Sequence, residues 1–240
     1  MDPITISAAS GLRSRMESLD MLANNLANTE TGGYKTDREF YNLYVAPEAV
    51  DEPAQTLPVI ERPWTDFSQG VLRTTGAPFD LALSGRGFFT VKGPAGDLYT
   101  RNGSFRVSPA GLLVSAEGYP VRNVNGNSIS LAGTGAVEIS PDGTIRENGQ
   151  PIGQIRVADV PDQASLVKQG TSYFRSNQTV GTAPGTEIHQ GKLENSNVGP
   201  AESAVRLVSV LRQFEMLQKA VSLGSQMNRK AVEEVARVGS

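Results

Sequence analysis

TISAASGLRSRMESLDMLANNLAN, residues 5–28, places Thr5, Ala9, Leu12, Met16, Leu19, Ala23 and Leu26 at alternating four- and three-residue steps. Such steps line up along one face of an α-helix. Leu22 widens the stripe while Arg13, Arg15, Glu17 and Asp20 fall off it, so the pattern predicts an amphipathic helix over residues 6–28. At the α-helical rise it is about 35 Å long. It stops at Asn28, where Thr29, Glu30, Thr31 and the pair Gly32-Gly33 offer a left-handed cap.

The far end of the chain repeats the device. Ala204, Leu207, Leu211, Phe214, Val221 and Ser225 trace a second stripe, continued with drifting phase by Met227, Ala231, Val235 and Val238. Pro200, Ala201 and Glu202 suit a first helical turn, because proline needs no N–H bond there and an acid complements the positive helix end. A helix over residues 200–238 spans about 55 Å, with Gly224 as a site for a kink. Each stripe needs a partner, since a lone helix draws most of its stability from burying its apolar face. Periodicity leaves open whether that partner lies in the same chain or another. Residues 1–45 hold four Arg/Lys against six Asp/Glu, and residues 201–240 six against four. The resulting charges of −2 and +2 favour the two ends lying together, though an exposed pair contributes only about 0 to 1 kcal/mol.

Proline and glycine mark out the middle. No proline lies between Pro3 and Pro47 or after Pro200, whereas 20 of the 25 glycines fall from Gly70 to Gly199. Helical ends around a turn-rich centre follow. Residues 34–69 predict an extended linker, broken by Pro47, Pro53, Pro58 and Pro63 and anchored by Tyr34, Phe40, Tyr41, Tyr44, Trp64 and Phe67. From 70 to 191, apolar or alternating runs at 79–83, 88–91, 112–114 and 153–157 recur between Gly93-Pro94, Asn102-Gly103, Pro109-Ala110-Gly111, Asp142-Gly143 and Asn148-Gly149. These separators are turn chemistry and predict an antiparallel β domain. The class is α+β.

Composition removes several functions. Without cysteine there is no disulfide framework, thiolate metal site or cysteine nucleophile, and with His189 alone a multi-histidine metal site or Ser/His triad is disfavoured. The net charge of −3 gives no basic footprint for nucleic acid. No apolar run approaches the roughly 18 residues of a membrane span, and no basic residue precedes Arg13 to begin a Sec signal. Ser165-Leu166-Val167-Lys168 has the spacing of a serine nucleophile served by lysine, but lacks that chemistry's partner motifs. It defines the rival reading, a serine hydrolase; a β domain on a trimeric coiled-coil stalk is a third. Gly85-Arg86-Gly87 starts like a phosphate loop but runs into Phe88-Phe89-Thr90, so it reads as a tight bend with close backbone approach at Gly87. Asp80, Asp97 and Asp142 lack metal-ligand spacing and read as turn caps. Asn24, Asn25 and Asn28 either cap the helix end and bond the next turn or fix register between helices.

Three ordered blocks carry a resemblance. Residues 19–35, LDMLANNLANTETGGYK, include Asn24, Asn25, Asn28, Thr31, Gly33, Tyr34 and Lys35. Residues 75–89, TGAPFDLALSGRGFF, with YTRNGSF at 99–105, include Asp80, Gly85, Gly87, Phe88, Phe89, Thr100, Arg101 and Gly103. QGKLENSNV at 190–198 supplies Leu193, Glu194, Asn197 and Val198, and residues 212–215 extend the block. Together they resemble the bacterial flagellar rod and hook axial proteins. The resemblance implies a structural subunit of the basal-body rod in the periplasm, not an enzyme, with no cofactor or metal. It implies export through the flagellar type III apparatus without a cleavable Sec signal, and partners in the chain itself, other rod and hook proteins and bushing-ring proteins. The terminal helices, residues 1–33 and 192–240, pair into an inner coiled-coil domain through Leu12, Met16, Leu19, Leu22, Leu26, Leu207, Leu211, Phe214 and Val221. Residues 34–69 link it to an outer β domain at 70–191. The opening Met1-Asp2-Pro3-Ile4 and the length of 240 lean toward the proximal rod over the distal rod.

Overall fold

A computed structural model describes residues 3–39, 41–45, 56–60, 63–133, 135–178 and 180–238. The expected anchor Phe40 and the expected breaks at Pro47 and Pro53 lie outside them. Two compact units are formed: residues 1–27, 37–64 and 199–240 make one, and residues 28–36 and 65–198 the other.

The first unit holds helix α1, Pro3–Ala27, and helix α2, Pro200–Val238. Proline opens each helix where its missing N–H costs nothing, and α2 places Glu202 in its first turn and Arg237 in its last, in accord with the helix dipole. Gly224 does not interrupt α2. The helices touch, for a methyl built at Gly11 would lie 3.7 Å from Leu217 Cδ1. Along α2 the half-buried or buried positions with a described burial are Ser203, Leu207, Val210, Phe214, Leu217, Val221 and Gly224, again in four- and three-residue steps, with Gln213 beside them. This face keeps Leu207, Phe214 and Val221 of the expected seam but not Leu211. Leu211, expected in the packing seam, is 42% exposed and Val210 takes the buried place at 7%. On α1 the buried residues are Ser14, Ser18, Leu22 and Asn25, while Leu12, Leu19 and Leu26 are half-buried and Met16, also expected in the seam, is 55% exposed. The expected extended linker contains a hairpin, Tyr41–Val45 against Thr56–Ile60, in register from Tyr41↔Ile60 to Val45↔Thr56.

The second unit is an assembly of antiparallel strands. Its largest sheet runs in the order Leu166–Gln169, Tyr173–Ser176, Gly96–Thr100, Phe88–Gly93, Val157–Asp159, Gly181–Thr182. Phe88 and Phe89 are neighbours whose side chains leave opposite faces, as a pleated strand requires. Phe89 enters the main core with Leu81, Leu83, Val91, Phe105 and Ile155. Phe88 joins Tyr99, Val160 and Phe174 on the other face, with Phe67 edge-on to both Phe88 and Phe174 at 5.7 and 5.0 Å between ring centres. The Asn148-Gly149 signal is realised as a hairpin turn between Thr144–Glu147 and Gln150–Gln154, with both residues at positive φ, 51° and 80°. At Gly87 a methyl would stand 2.9 Å from the Ala158 carbonyl oxygen, the close approach expected there. Two short ribbons bring the end of the unit back to its start: Glu187–Gln190 pairs with Leu81–Ser84, and Lys192–Glu194 with Leu72–Thr74.

Candidate functional site: a buried ionic joint

Those ribbons deliver Glu194 into the interior of the second unit, where it is 1% exposed. Its Oε1 accepts from Lys35 Nζ at 2.5 Å and from the Gly70 N–H at 3.0 Å, and its Oε2 lies 3.3 Å from Arg101 Nη1. Lys35 also donates to the Ser68 carbonyl at 2.6 Å, and Arg101 Nη2 to the Gly85 carbonyl at 2.7 Å. The Arg101 guanidinium stacks 5.4 Å from the Phe88 ring centre. Lys35 and Arg101 are 0% and 4% exposed. Burial pushes the Lys35 ammonium below its usual pKa, and Glu194 opposes that shift. Burial lowers Arg101 as well, again with Glu194 opposing.

Main chain reinforces the ionic contacts. The Gly33 N–H donates to the Glu194 carbonyl at 2.7 Å, and the Asn197 N–H to the Tyr34 carbonyl at 3.3 Å. Asn197 Oδ1 accepts from both the N–H and the hydroxyl of Thr36 at 2.8 and 2.7 Å, while its Nδ2 donates to the Asp66 and Ser68 carbonyls at 2.7 and 3.2 Å. Gly33 sits at φ +66°, and a methyl there would lie 2.3 Å from the Asn102 nitrogen. The expected helix cap is therefore something else. Helix α1 ends at Ala27, and Gly33 serves the approach to Arg101-Asn102.

Other block residues support this joint or the core beside it. Tyr34 is buried beneath Lys168, whose Nζ lies 4.4 Å from the ring centre and donates to the Lys35 carbonyl at 2.9 Å. Thr100 Oγ1 donates to the Ser172 carbonyl at 2.7 Å and accepts from the Asn102 N–H at 3.0 Å. Gly103 accepts from the Leu81 N–H and Asp80 from the Gly191 N–H. Leu193 pairs with Arg73, and Val198 is buried. The asparagines behave as local ties: Asn25 exchanges two bonds with the Asp37 backbone at 2.8 and 3.1 Å, and Asn28 Oδ1 accepts from the Thr31 hydroxyl at 3.0 Å. Asn24 is exposed.

The arrangement is mechanical in its chemistry. A carboxylate shared by two desolvated cations holds three chain segments at fixed positions, and breaking such a pair costs about 3 to 5 kcal/mol. The hydrolase alternative finds no support: Ser165 Oγ donates to the Asp162 carbonyl at 2.6 Å, while Lys168 is engaged at Lys35 and Tyr34. Asp142 caps its own turn through the Thr144 N–H and hydroxyl, which hold its carboxyl below the usual range, and Asp97 faces Arg122 and Arg156. Among the described residues no cluster of His, Asp and Glu could hold a metal ion, and no helix is long and apolar enough to cross a membrane. Sequence reasoning singled out the charged residues of the joint but missed their pairing, along with Ser68 and Gly70. No local signal links positions 35, 101 and 194.

Comparison with known proteins places these blocks. Residues 82–147 match the family described as the flagellar hook protein FlgE/F/G D1 domain, and residues 189–234 the flagellar basal body rod FlgEFG protein C-terminal family. The flagellar basal-body rod protein FlgF of Caulobacter vibrioides is 33% identical over 234 residues, covering 92% of each chain. FlgF of Mesorhizobium japonicum is 30% identical over 241 residues, covering 99% of this chain and 97% of the relative. FlgG of Borreliella burgdorferi is 32% identical over 253 residues, covering 92% and 94%. Similarity along nearly its whole length, through the blocks that build the joint, makes the chain a member of the flagellar basal-body rod protein family.

Proposed function

We propose that this structural rod subunit polymerises helically through its terminal helices to form part of the drive shaft and its export channel. The observation that carries the reading is a second apolar face on α2. Val205, Val208, Met216, Leu223 and Met227 are 48 to 72% exposed, beside the face that α2 buries within the chain. Ala204, Val205, Val208, Arg212 and Met216 line a groove of about 550 Å³. A helix buried among copies needs apolar side chains on more than one face. Contacts of this heterologous kind that do not close on themselves extend into a helical filament.

Within one subunit α1 and α2 pair antiparallel as a coiled coil. Support comes from the joint: residues 33–36 and 194–197 are bonded together, so α1 ends and α2 begins near one place. Gly11 lies 16 residues before the end of α1 and Leu217 17 residues after the start of α2, at matching heights for helices running in opposite directions. The domain layout follows, with inner helices at 1–33 and 192–240, a connector at 34–69 and an outer β domain at 70–191. Partners are further copies, other rod and hook proteins, bushing-ring proteins and the type III export apparatus, at the periplasmic rod. A proximal place is supported by the shorter FlgF alignments, 234 and 241 positions against 253 for FlgG.

The test is Val208→Asp with Met216→Asp in the full chain. The variant keeps its monomeric far-UV circular dichroism but is missing from isolated basal bodies and does not restore swimming to cells lacking the subunit. Normal incorporation would overturn the assignment of this face.

A further inference from the structure

The ionic joint draws its charges from distant parts of the chain. Lys35 and Arg101 precede Glu194 by 159 and 93 residues, so a chain made from its N-terminus holds both cations well before the carboxylate that pairs with them. Burying Lys35 before then would strand an ammonium away from water without its counter-charge. The main chain has the same dependence: the Gly33 N–H, Thr36 N–H and Tyr34 carbonyl all bond to residues 194 or 197. Glu194 itself reaches the interior only when Glu187–Gln190 and Lys192–Glu194 have paired with their partner strands.

We infer that Glu194 is a completion latch: residues 28–36 take their place only when residues 187–198 have docked. The segment leaving α1 and the segment entering α2 are thereby set in one event, and an incomplete chain leaves its N-terminal segment unanchored. The latch is independent of how the subunit polymerises, because all its contacts lie inside one compact unit of a single chain.

Its charge balance makes an unequal demand on the three residues. Two cations share one carboxylate in direct contact, so Lys35→Met leaves a matched Arg101–Glu194 pair, whereas Glu194→Gln removes the paired carboxylate of both and leaves Lys35 only the more distant Asp66. Hydrogen exchange on the full chain separates these cases. In Glu194→Gln, exchange at the Gly33 and Thr36 amides accelerates about tenfold or more while the hairpin 88–100 stays within about twofold of the parent; in Lys35→Met the same two amides stay within about threefold. Pulse labelling of the refolding parent chain tests the order directly. Protection at Gly33 and Thr36 appears together with that at Gly191 and Asn195, and after that of the hairpin 88–100. The latch is overturned if Gly33 and Thr36 become protected before Asn195, if Glu194→Gln leaves their exchange unchanged, or if Lys35→Met loosens them as much as Glu194→Gln does. Should Glu194→Gln fail to fold, the parent chain and Lys35→Met still decide.

Discussion

At Gly33 the backbone has a positive φ and no room for a side chain, whereas its neighbour Gly32 would present a methyl to Asn102 Oδ1 at 3.2 Å and to the Glu194 carbonyl oxygen at 3.6 Å. The two glycines are alike in sequence and unlike in constraint. Gly33→Ala should cost at least about 2 kcal/mol in urea unfolding, from left-handed strain plus a backbone clash, and Gly32→Ala less than about 1 kcal/mol. Equal losses would show that the approach to Arg101-Asn102 is not tight. Asn197 closes five hydrogen bonds across three segments, so Asn197→Ala should cost about 2 to 3 kcal/mol in the same measurement. Tyrosine ionisation gives a pH test. Burial raises the pKa of Tyr99, with Asp97 adding to the shift, and burial followed by the bond to Glu117 raises Tyr173. The folded chain then holds these protons where the unfolded chain has lost them, so their contribution is intact below pH 10 and stability falls as pH climbs above it. Absorbance at 295 nm should show Tyr99 and Tyr173 losing their protons at higher pH in the folded chain than in the unfolded chain.

Among elements, α2 shows where periodicity succeeds and where it misleads. Stripe spacing predicts the helix and its proline start, yet assigns Leu211 to the seam that Val210 occupies. Adjacent residues on a helix differ by 100°, so a stripe with apolar residues on two faces does not say which face meets the partner. The distinction is measurable. Val210→Asp buries a carboxylate and should cost about 3 kcal/mol, with loss of helical signal at 222 nm. Leu211→Asp should leave the monomer's helicity intact and reduce incorporation into basal bodies instead. On α1 the same ambiguity puts Met16 in the stripe, where it is 55% exposed while Ser14 and Ser18 are buried, because a stripe does not say which side of it meets a neighbour.

For the whole molecule, two compact units with different packing imply different local stability. The β unit has a continuous core, whereas α2 leaves most of its surface in water. Amides of α2 should exchange orders of magnitude faster than those of the strands Phe88–Gly93 and Gly96–Thr100 in the monomer, and slow down in assembled rods. Exchange from α2 as slow as from the sheet would mean that the helices are already fully supported within one chain. What the sequence determined by itself was whatever depends on neighbours a few residues apart: two helices without internal proline, the turn-rich antiparallel middle, the hairpin at Asn148-Gly149 and the three blocks that mark the family. Only the tertiary structure decided which face of each helix is buried, that a hairpin occupies part of the linker, and that Lys35, Arg101 and Glu194 meet. Helical period and turn chemistry are set by local backbone sterics, but pairing charges 93 and 159 residues apart is set by how the strands close around them, which no local pattern records.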